Sequence, residues 1–295
     1  MSYQTVGDVK GASDSEGKLK ALQLPLLTGK KVLDLGCNSG FFCEAAQDKG
    51  AASVLGIDIH STFIEEAKQR VRGHNLNYVN TSWNNLPNAK FDVILFLSAL
   101  HYEKNPIAFF DNVYSHLADD GLLVIECGID TFHFHKNSIT KQTRHDGERF
   151  YPDIDTLLNV WLKKFSCRLI GGSVNQAGDN VPRYVIHCKK KKSTVIFITG
   201  NPGDGKTSLA KSIKPDVYIS TDLLFGEEFR DTDNIQLRWE QRNGTEKKYI
   251  DTLLAAIRLN EGADVIVVDG YILKDLYVHL KNALEPMYRT WHLQR

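Results

Sequence analysis

Two glycine-bearing loops carry the residues whose types and spacing can do chemistry. The later one, Gly200-Asn201-Pro202-Gly203-Asp204-Gly205-Lys206-Thr207 with Ser208 behind it, fits G-x-x-x-x-G-K-[ST] in full, between an apolar run and a helical pattern. Backbone N–H groups of such a loop surround phosphate oxygens. Lys206 then neutralises the β- and γ-phosphates of ATP or GTP, and Thr207 offers its hydroxyl to Mg²⁺. Asp269, after the apolar stretch 265–268, is the second acidic candidate beside that metal. The earlier loop, Asp34-Leu35-Gly36-Cys37-Asn38-Ser39-Gly40, lets the backbone turn tightly and approach a ligand just before a helix N-terminus. Asp58 ends the next apolar run, where a carboxylate can bind the two hydroxyls of a ribose or cap the following helix, although Ser61 is at hand for the cap.

Other candidates lie further on. Ser98-Ala99-Leu100-His101-Tyr102 follows a strongly apolar run. His101 there either orients or deprotonates an acceptor hydroxyl, or is a structural histidine beside the cofactor. Residues 128–152 hold His133, His135, Arg144, His145 and Arg149. His133 and His135 would face one side of a strand and could bind metal, with no third ligand identifiable. Arg144 and Arg149 either clamp a phosphate or carboxylate bidentately or form ordinary surface salt bridges.

These residues need a frame of strands and crossovers. Short apolar runs at Lys31–Leu35, Ser53–Ile57, 77–79, Phe91–Leu97 and 121–126 alternate with helical stripes (Phe41, Phe42, Ala45, Ala46; Phe63, Ile64, Ala67, Val71; Ile107, Phe110, Val113, Leu117). Residues 165–171 and 184–188 read as strands joined by a polar, glycine-containing stretch too short for a packed helix, hence an antiparallel hairpin closing a seven-stranded sheet. Lys189 to Lys192 form a lysine run, a solvated linker or a phosphate-contacting patch. Beyond it the alternation restarts: strands at 193–199, Val217–Ser220, 264–268 and 288–293, and helical faces at Ile250, Leu253, Leu254, Ile257 and at Leu273, Leu276, Leu280, Leu284. The expected fold class is α/β in two domains: a seven-stranded Rossmann-like sheet over 1–188, a linker at 189–193, and a small P-loop sheet over 194–295.

The first part resembles the class I S-adenosylmethionine-dependent methyltransferases. The likeness is carried by Val32-Leu33-Asp34-Leu35-Gly36-Cys37-Asn38-Ser39-Gly40-Phe41-Phe42, Gly56-Ile57-Asp58, Thr81-Ser82-Trp83, Phe91-Asp92-Val93-Ile94 and Gly121-Leu122-Leu123-Val124-Ile125-Glu126. It implies that Asp34, Gly36 and Gly40, with Cys37 and Asn38 in the same loop, line the methionine part of S-adenosyl-L-methionine. Asp58 would hold the ribose, Ser82 and Trp83 would flank the adenine, and Ile59 and Ser98 join the cofactor contacts. A dinucleotide-binding reductase is disfavoured, because the glycines do not follow G-x-G-x-x-G and the sheet ends in a hairpin. No N-P-P-Y or D-P-P-Y follows the fourth strand, so amino-methylation of DNA loses support and O-methylation of a small molecule or glycan gains it. The second part resembles polynucleotide kinases and zeta-toxin-like kinases through the phosphate loop and Ser220-Thr221-Asp222. That likeness implies that Asp222 binds or deprotonates an acceptor hydroxyl; a helix cap is its other reading. Such kinases continue into a lid with arginines. Here Arg289 or Arg295 would serve, or the lid is missing.

Bulk properties set outer limits. A formal net charge of +0 over 295 residues argues against nucleic-acid binding by bulk charge, though not against a local basic groove. The 5 cysteines include no C-x-x-C pair, as expected of reduced thiols. There is no basic-then-apolar leader and no apolar run near the roughly 18 residues that span a bilayer, so a cytoplasmic protein with no membrane partner is expected. The functional expectation is a bifunctional enzyme that methylates and phosphorylates, with a small molecule, glycan or nucleic-acid end as acceptor. The alternatives are a methyltransferase with a catalytically weak nucleotide-binding regulatory or assembly module, and a cofactor-binding scaffold. Oligomeric state is left open.

Overall fold

A computed structural model describes residues 4, 11, 13–71, 73–132, 138–144, 147–175, 178–225, 246–260, 262–272, 274–285 and 287–295. The chain forms two compact units, Met1–Lys191 and Lys192–Arg295.

In the first unit, helix α1 (Ser15–Ala21) precedes β1 (Lys31–Leu35), α2 (Phe41–Asp48), β2 (Ser53–Asp58), α3 (Ser61–Gln69) and β3 (Leu76–Asn80). β4 (Phe91–Leu97), α4 (Pro106–His116) and β5 (Leu117–Gly128) follow, then a separate two-stranded hairpin of β6 (Ile139–Arg144) and β7 (Gly147–Pro152). β8 (Phe165–Gly172) and β9 (Arg183–Lys190) complete a seven-stranded sheet of order β3-β2-β1-β4-β5-β9-β8. The first five strands pair in parallel, and β9 and β8 are antiparallel, as the hairpin reading anticipates.

Alternating residues feed two apolar layers, because successive strand side chains point to opposite faces. Leu33, Ile94 and Phe96 pack with Phe109, Phe110 and Val113 of α4 on one face; Val32, Val93 and Leu95 pack with Phe42, Ala46 and Ile64 on the other. Both faces are covered, which is why these strands read as near-continuous apolar runs. Strand order reverses between β1 and β4, leaving a crevice at their carboxyl ends where open α/β sheets bind ligands.

Two sequence expectations shift here, and one element is new. Leu117, expected on a helical stripe, opens β5 opposite Phe91: α4 ends at His116, and Leu117 takes extended dihedrals (φ −76, ψ 136) while staying in the core. Lys189 and Lys190, expected in the linker, finish β9 opposite Ser166 and Phe165. Lysine can continue an exposed strand end, so composition alone does not mark the boundary. A π-helical turn at Thr156–Trp161 packs Leu157 and Trp161 into the core, with no sequence pattern announcing it.

The second unit has four parallel strands in the order β11-β12-β10-β13: β10 (Thr194–Thr199), β11 (Val217–Ser220), β12 (Val265–Gly270) and β13 (Arg289–Gln294). Helix α5 (Lys206–Ser212) follows β10, and α6 (Thr221–Phe225) follows β11. Val195, Phe197, Ile266 and Val268 pack against Leu253, Leu254 and Ile257 of the helix Glu246–Arg258 and Leu276, Leu280 and Leu284 of the helix Lys274–Leu284. Leu273 lies outside the described residues.

All five cysteines are free thiols, and Cys167 and Cys188 face each other across β8 and β9 with Sγ atoms 3.3 Å apart. Among the described residues no helix is long and apolar enough to cross a membrane.

Candidate functional site

The turn after β1 places three left-handed residues close together: Gly36 (φ 74), Asn38 (φ 51) and Gly40 (φ 90). The amides of Gly36 and Cys37 donate to the Ile57 carbonyl at 2.9 and 3.0 Å, tying the turn to β2. Asp58, ending β2, accepts from the Asn38 amide at Oδ2 and the His60 amide at Oδ1, each at 2.9 Å. Each oxygen keeps a further lone pair. A Cβ on Gly36 would lie 3.3 Å from the Trp83 ring and 3.6 Å from Ala99. At Gly40 a Cβ would collide with the Tyr78 hydroxyl, which donates to the Gly40 carbonyl at 3.3 Å. Trp83 is fixed by a 2.8 Å bond from Nε1 to Glu103 and by edge contacts with Phe96 and Phe109. Ser82 Oγ accepts from the Asn84 amide at 3.2 Å, and Ile59 is 57% exposed at the end of β2.

Two residues of this loop sit differently from their sequence-based roles. Cys37 spends its amide on Ile57 and buries its side chain in the apolar layer beneath, so it shapes the loop and presents no thiol to a ligand. Asp34 is buried behind the loop, accepting from Cys43 Sγ at 3.3 Å. Burial pushes its carboxyl up to about 7, the Cys43 hydrogen bond acting against this and the neighbouring Asp58 with it. Gln4, which no motif marks, lies against the loop and accepts from the Phe41 amide at the start of α2, 3.1 Å away.

Beside this loop, the carboxyl ends of β4 and β5 carry a buried charged cluster. Ser98 (φ 56) donates to Glu126 Oε2 at 2.6 Å and accepts from Lys18 Nζ of α1 at 2.7 Å. Arg183, at the start of β9, donates to the same Glu126 oxygen at 3.3 Å and to Asp179 Oδ2 through Nε (2.8 Å) and Nη2 (2.6 Å). Asp179 Oδ1 accepts from Arg144 (3.1 Å), Arg149 (2.9 Å) and Tyr151 (3.1 Å). Burial alone would raise the Asp179 carboxyl; the Arg183 charge and these hydrogen bonds hold it below the ordinary value. Arg149 also donates to the Tyr102 hydroxyl at 3.0 Å and is only 4% exposed, so it is not an ordinary surface salt bridge. His101 is buried between the rings of Tyr102 and Tyr151, with centroids 4.1 and 5.7 Å away. Sequence singled out His101, Ser98, Arg144 and Arg149; it gave no role to Glu126, although that residue ends a quoted motif, and missed Lys18, Asp179 and Arg183, which sit at no motif spacing. His133, His135 and His145 lie outside the described residues; among those described, no three His, Cys, Asp or Glu side chains form a metal-holding group.

In the second unit, Gly200 (φ 155), Gly203 (φ 90) and Gly205 (φ 74) open the loop between β10 and α5. Asp204 accepts from the Asn201 amide, and Lys206 Nζ donates to the Asn201 carbonyl, both at 2.6 Å. Pro202, Gly203 and Ser208 are exposed along it. Thr207 Oγ1 donates to Asp269 Oδ2 at 2.8 Å, and the Tyr218 hydroxyl donates to Oδ1 at 2.8 Å. A hydroxyl and a buried carboxylate side by side are hard oxygen donors of the kind Mg²⁺ accepts. Asp222 is exposed in the first turn of α6, and Ser220 pairs with Asp269, so Asp222 shares this edge. Arg289 does not: it pairs with Thr194, at the opposite end of β10 from the loop, roughly 17 Å away at about 3.3 Å per residue. Arg295 does lie at the loop, its amide donating to Thr199 and its carbonyl 2.9 Å from where a Gly200 Cβ would stand.

Known proteins resemble the first unit. Residues 33–125, from β1 into β5, match the family described as Methyltransferase domain. A tRNA U34 carboxymethyltransferase of Alteromonas mediterranea is 27% identical over 170 residues, covering 53% of this chain and 50% of that protein. A ubiquinone biosynthesis O-methyltransferase of Haemophilus ducreyi is 35% identical over 108 residues, covering 34% of this chain and 45% of that one. The chain thus spans about half or less of the length of these curated relatives. A crystal structure from Listeria monocytogenes, itself assigned only provisionally as an S-adenosylmethionine dependent methyltransferase, superposes with a TM-score of 0.50 at 20% identity, covering 61% of this chain and all (100%) of that one. The family match covers residues 33–125, and the likeness to the Listeria structure is one of fold, the seven-stranded α/β sheet of the first unit. The matched segment includes the turn after β1.

Proposed function

We propose that the first unit transfers a methyl group from S-adenosyl-L-methionine to an oxygen of its acceptor. The observation that carries this reading is the convergence of Gly36, Asp58 and Trp83 on one crevice at the switch point of the sheet. When bound, S-adenosylmethionine supplies an electrophilic methyl on a sulfonium sulfur. Asp58 takes the ribose hydroxyls on its remaining lone pairs, Ile59, Ser82 and Trp83 bracket the adenine, and Gly36, Asn38 and Gly40 give the methionine portion close backbone contact. His101 receives the proton of an acceptor hydroxyl, with Asp179 within electrostatic reach of it. The H. ducreyi relative's printed name, an O-methyltransferase, supports oxygen as the acceptor atom. Calorimetry with S-adenosylmethionine and S-adenosylhomocysteine tests the reading; absence of binding to either would overturn it.

A second activity is favoured by the pairing of Thr207 with Asp269 at the mouth of a full phosphate-loop sequence. We infer that this unit binds ATP or GTP with Mg²⁺, Thr207 and Asp269 ordering the metal and Lys206 the phosphates, and that Asp222 prepares a hydroxyl for phosphorylation. Arg295 is the arginine at hand to meet charge on the transferring phosphoryl group. Nucleotide binding without transfer would favour the regulatory role. Lys206→Ala should abolish nucleotide binding, and Asp222→Asn should abolish transfer alone; transfer by Asp222→Asn at the full rate would remove Asp222 from the site.

A further inference from the structure

Cys167 and Cys188 stand directly opposite each other on the antiparallel strands β8 and β9, both as thiols, with their Sγ atoms 3.3 Å apart. Direct antiparallel partners hold their Cα atoms about 4.5–5.5 Å apart. That lies within the roughly 4.4–6.8 Å that a disulfide spans. To reach a bond of about 2.05 Å the sulfurs must close by roughly 1.3 Å, which side-chain rotation supplies without a change of register. The two thiols also differ in the way an oxidation requires. Cys167 is half-buried on β8, the edge strand of the sheet, whereas Cys188 is fully buried. The hydrogen bond between them lowers the Cys167 thiol below its ordinary value, burial working against this, while burial pushes the Cys188 thiol well up. A solvent-reachable sulfur that favours the thiolate thus sits beside a protonated thiol able to resolve it. Cys37, Cys43 and Cys127 are buried, and burial pushes Cys43 well above its ordinary value and Cys127 up to about 12.

We propose that Cys167 and Cys188 form a reversible oxidation site, a thiol pair that hydrogen peroxide converts to a disulfide stapling β8 to β9. The Cys167 thiolate attacks one peroxide oxygen. The O–O bond breaks, the sulfur becomes a sulfenic acid, and the hydroxide that leaves takes up the proton Cys167 released on ionising. Cys188 then attacks the Cys167 sulfur. The S–S bond forms, the S–O bond breaks, and the second hydroxide departs as water with the Cys188 proton. Two thiols lose two electrons, and one peroxide is reduced to two waters. The bond joins residues 21 apart in sequence, across the connection that brings Asp179 and Arg183 to the cluster beside the cofactor loop.

The test treats the reduced full chain with hydrogen peroxide and reads its intact mass and a non-reducing peptide map. A mass loss of about 2 Da, one cross-linked pair of peptides carrying Cys167 and Cys188, and recovery of both thiols with dithiothreitol are expected. The oxidised chain should melt roughly 5 °C or more above the reduced one, since the bond restricts the unfolded state. Cys188→Ala should halt the reaction at Cys167, where a diketone that traps sulfenic acids is taken up, and Cys167→Ser should form no disulfide. If neither variant folds, the peptide map of the unaltered chain decides. A disulfide between other cysteines, or a Cys167 sulfinic acid with Cys188 still a thiol, would overturn the oxidation site. Equal melting temperatures for the two forms would overturn the staple.

Discussion

At the scale of single residues, Asp34 and Asp58 show one side chain type doing two jobs a turn apart. Asp58 accepts two amides, from Asn38 and His60. Asp34, meeting only a thiol among the hydrogen bonds that hold it, is pushed up to about 7 by burial. The raised carboxyl means the fold prefers the protonated form. Near pH 4 that preference costs nothing; as pH rises towards 7 the unfolded chain releases the proton while the folded chain retains it, so stability falls until both states are charged. Asp34→Asn should remove this decline, and its stability advantage over the native chain should grow between pH 4 and 7 in urea unfolding series. Asp58→Ala should weaken S-adenosylmethionine binding by about 2–3 kcal/mol, since it deletes charged hydrogen bonds, and should also lower the melting temperature because the loop amide of Asn38 loses its acceptor. An unchanged dissociation constant would take Asp58 out of the site. Both aspartates were legible from their places at strand ends. Arg183, Asp179 and Glu126 were not: they meet only because an antiparallel hairpin folds 179 and 183 back onto the end of β5, and no linear spacing encodes that return.

At the scale of elements, the turn between β1 and α2 is held open by what glycine lacks. Gly40 combines a φ of 90 with the Tyr78 hydroxyl standing where its Cβ would be. Gly40→Ala should therefore destabilise the chain by about 1–3 kcal/mol through strain and overpacking, measured by denaturant midpoint. Tyr78→Phe in the same background should recover part of the loss by removing the colliding oxygen; no recovery would assign the whole cost to the dihedral. Apolar runs gave away the strands of both sheets because buried parallel strands are apolar on both faces, as at Val32 and Leu33. Ends were harder. Leu117 is apolar and core-facing whether it closes a helix or opens a strand, and Lys190 suits a strand end as well as a linker. Arg289 shows the limit most clearly: nearness to the end of the sequence says nothing about which end of a sheet a residue occupies, and pairing with Thr194 puts it at the wrong one.

At the scale of the whole molecule, the chain divides into two compact units, each built on its own sheet. The residues named for the first crevice all precede Lys191, and those named for the second all follow Lys192. Each proposed site therefore draws its residues from one unit alone. If that division governs binding, a fragment ending at Lys191 should fold and bind S-adenosylhomocysteine with the affinity of the full chain, within about 0.5 kcal/mol, the spread expected of independent sites. Limited proteolysis should cut near 191–193, where β9 has ended and β10 has not begun. The sharper version uses linkage. Two ligands that bind independent units cannot alter each other's affinity, whereas a regulatory module must change the affinity of the partner site when its own is filled, and by the same factor in both directions. S-adenosylhomocysteine titrations with and without saturating ATP and Mg²⁺, repeated with Lys206→Ala, separate the two. Identical affinities in all conditions are the expected result and favour two independent activities. A shift on adding nucleotide that disappears in Lys206→Ala would instead make the second unit a regulator of the first.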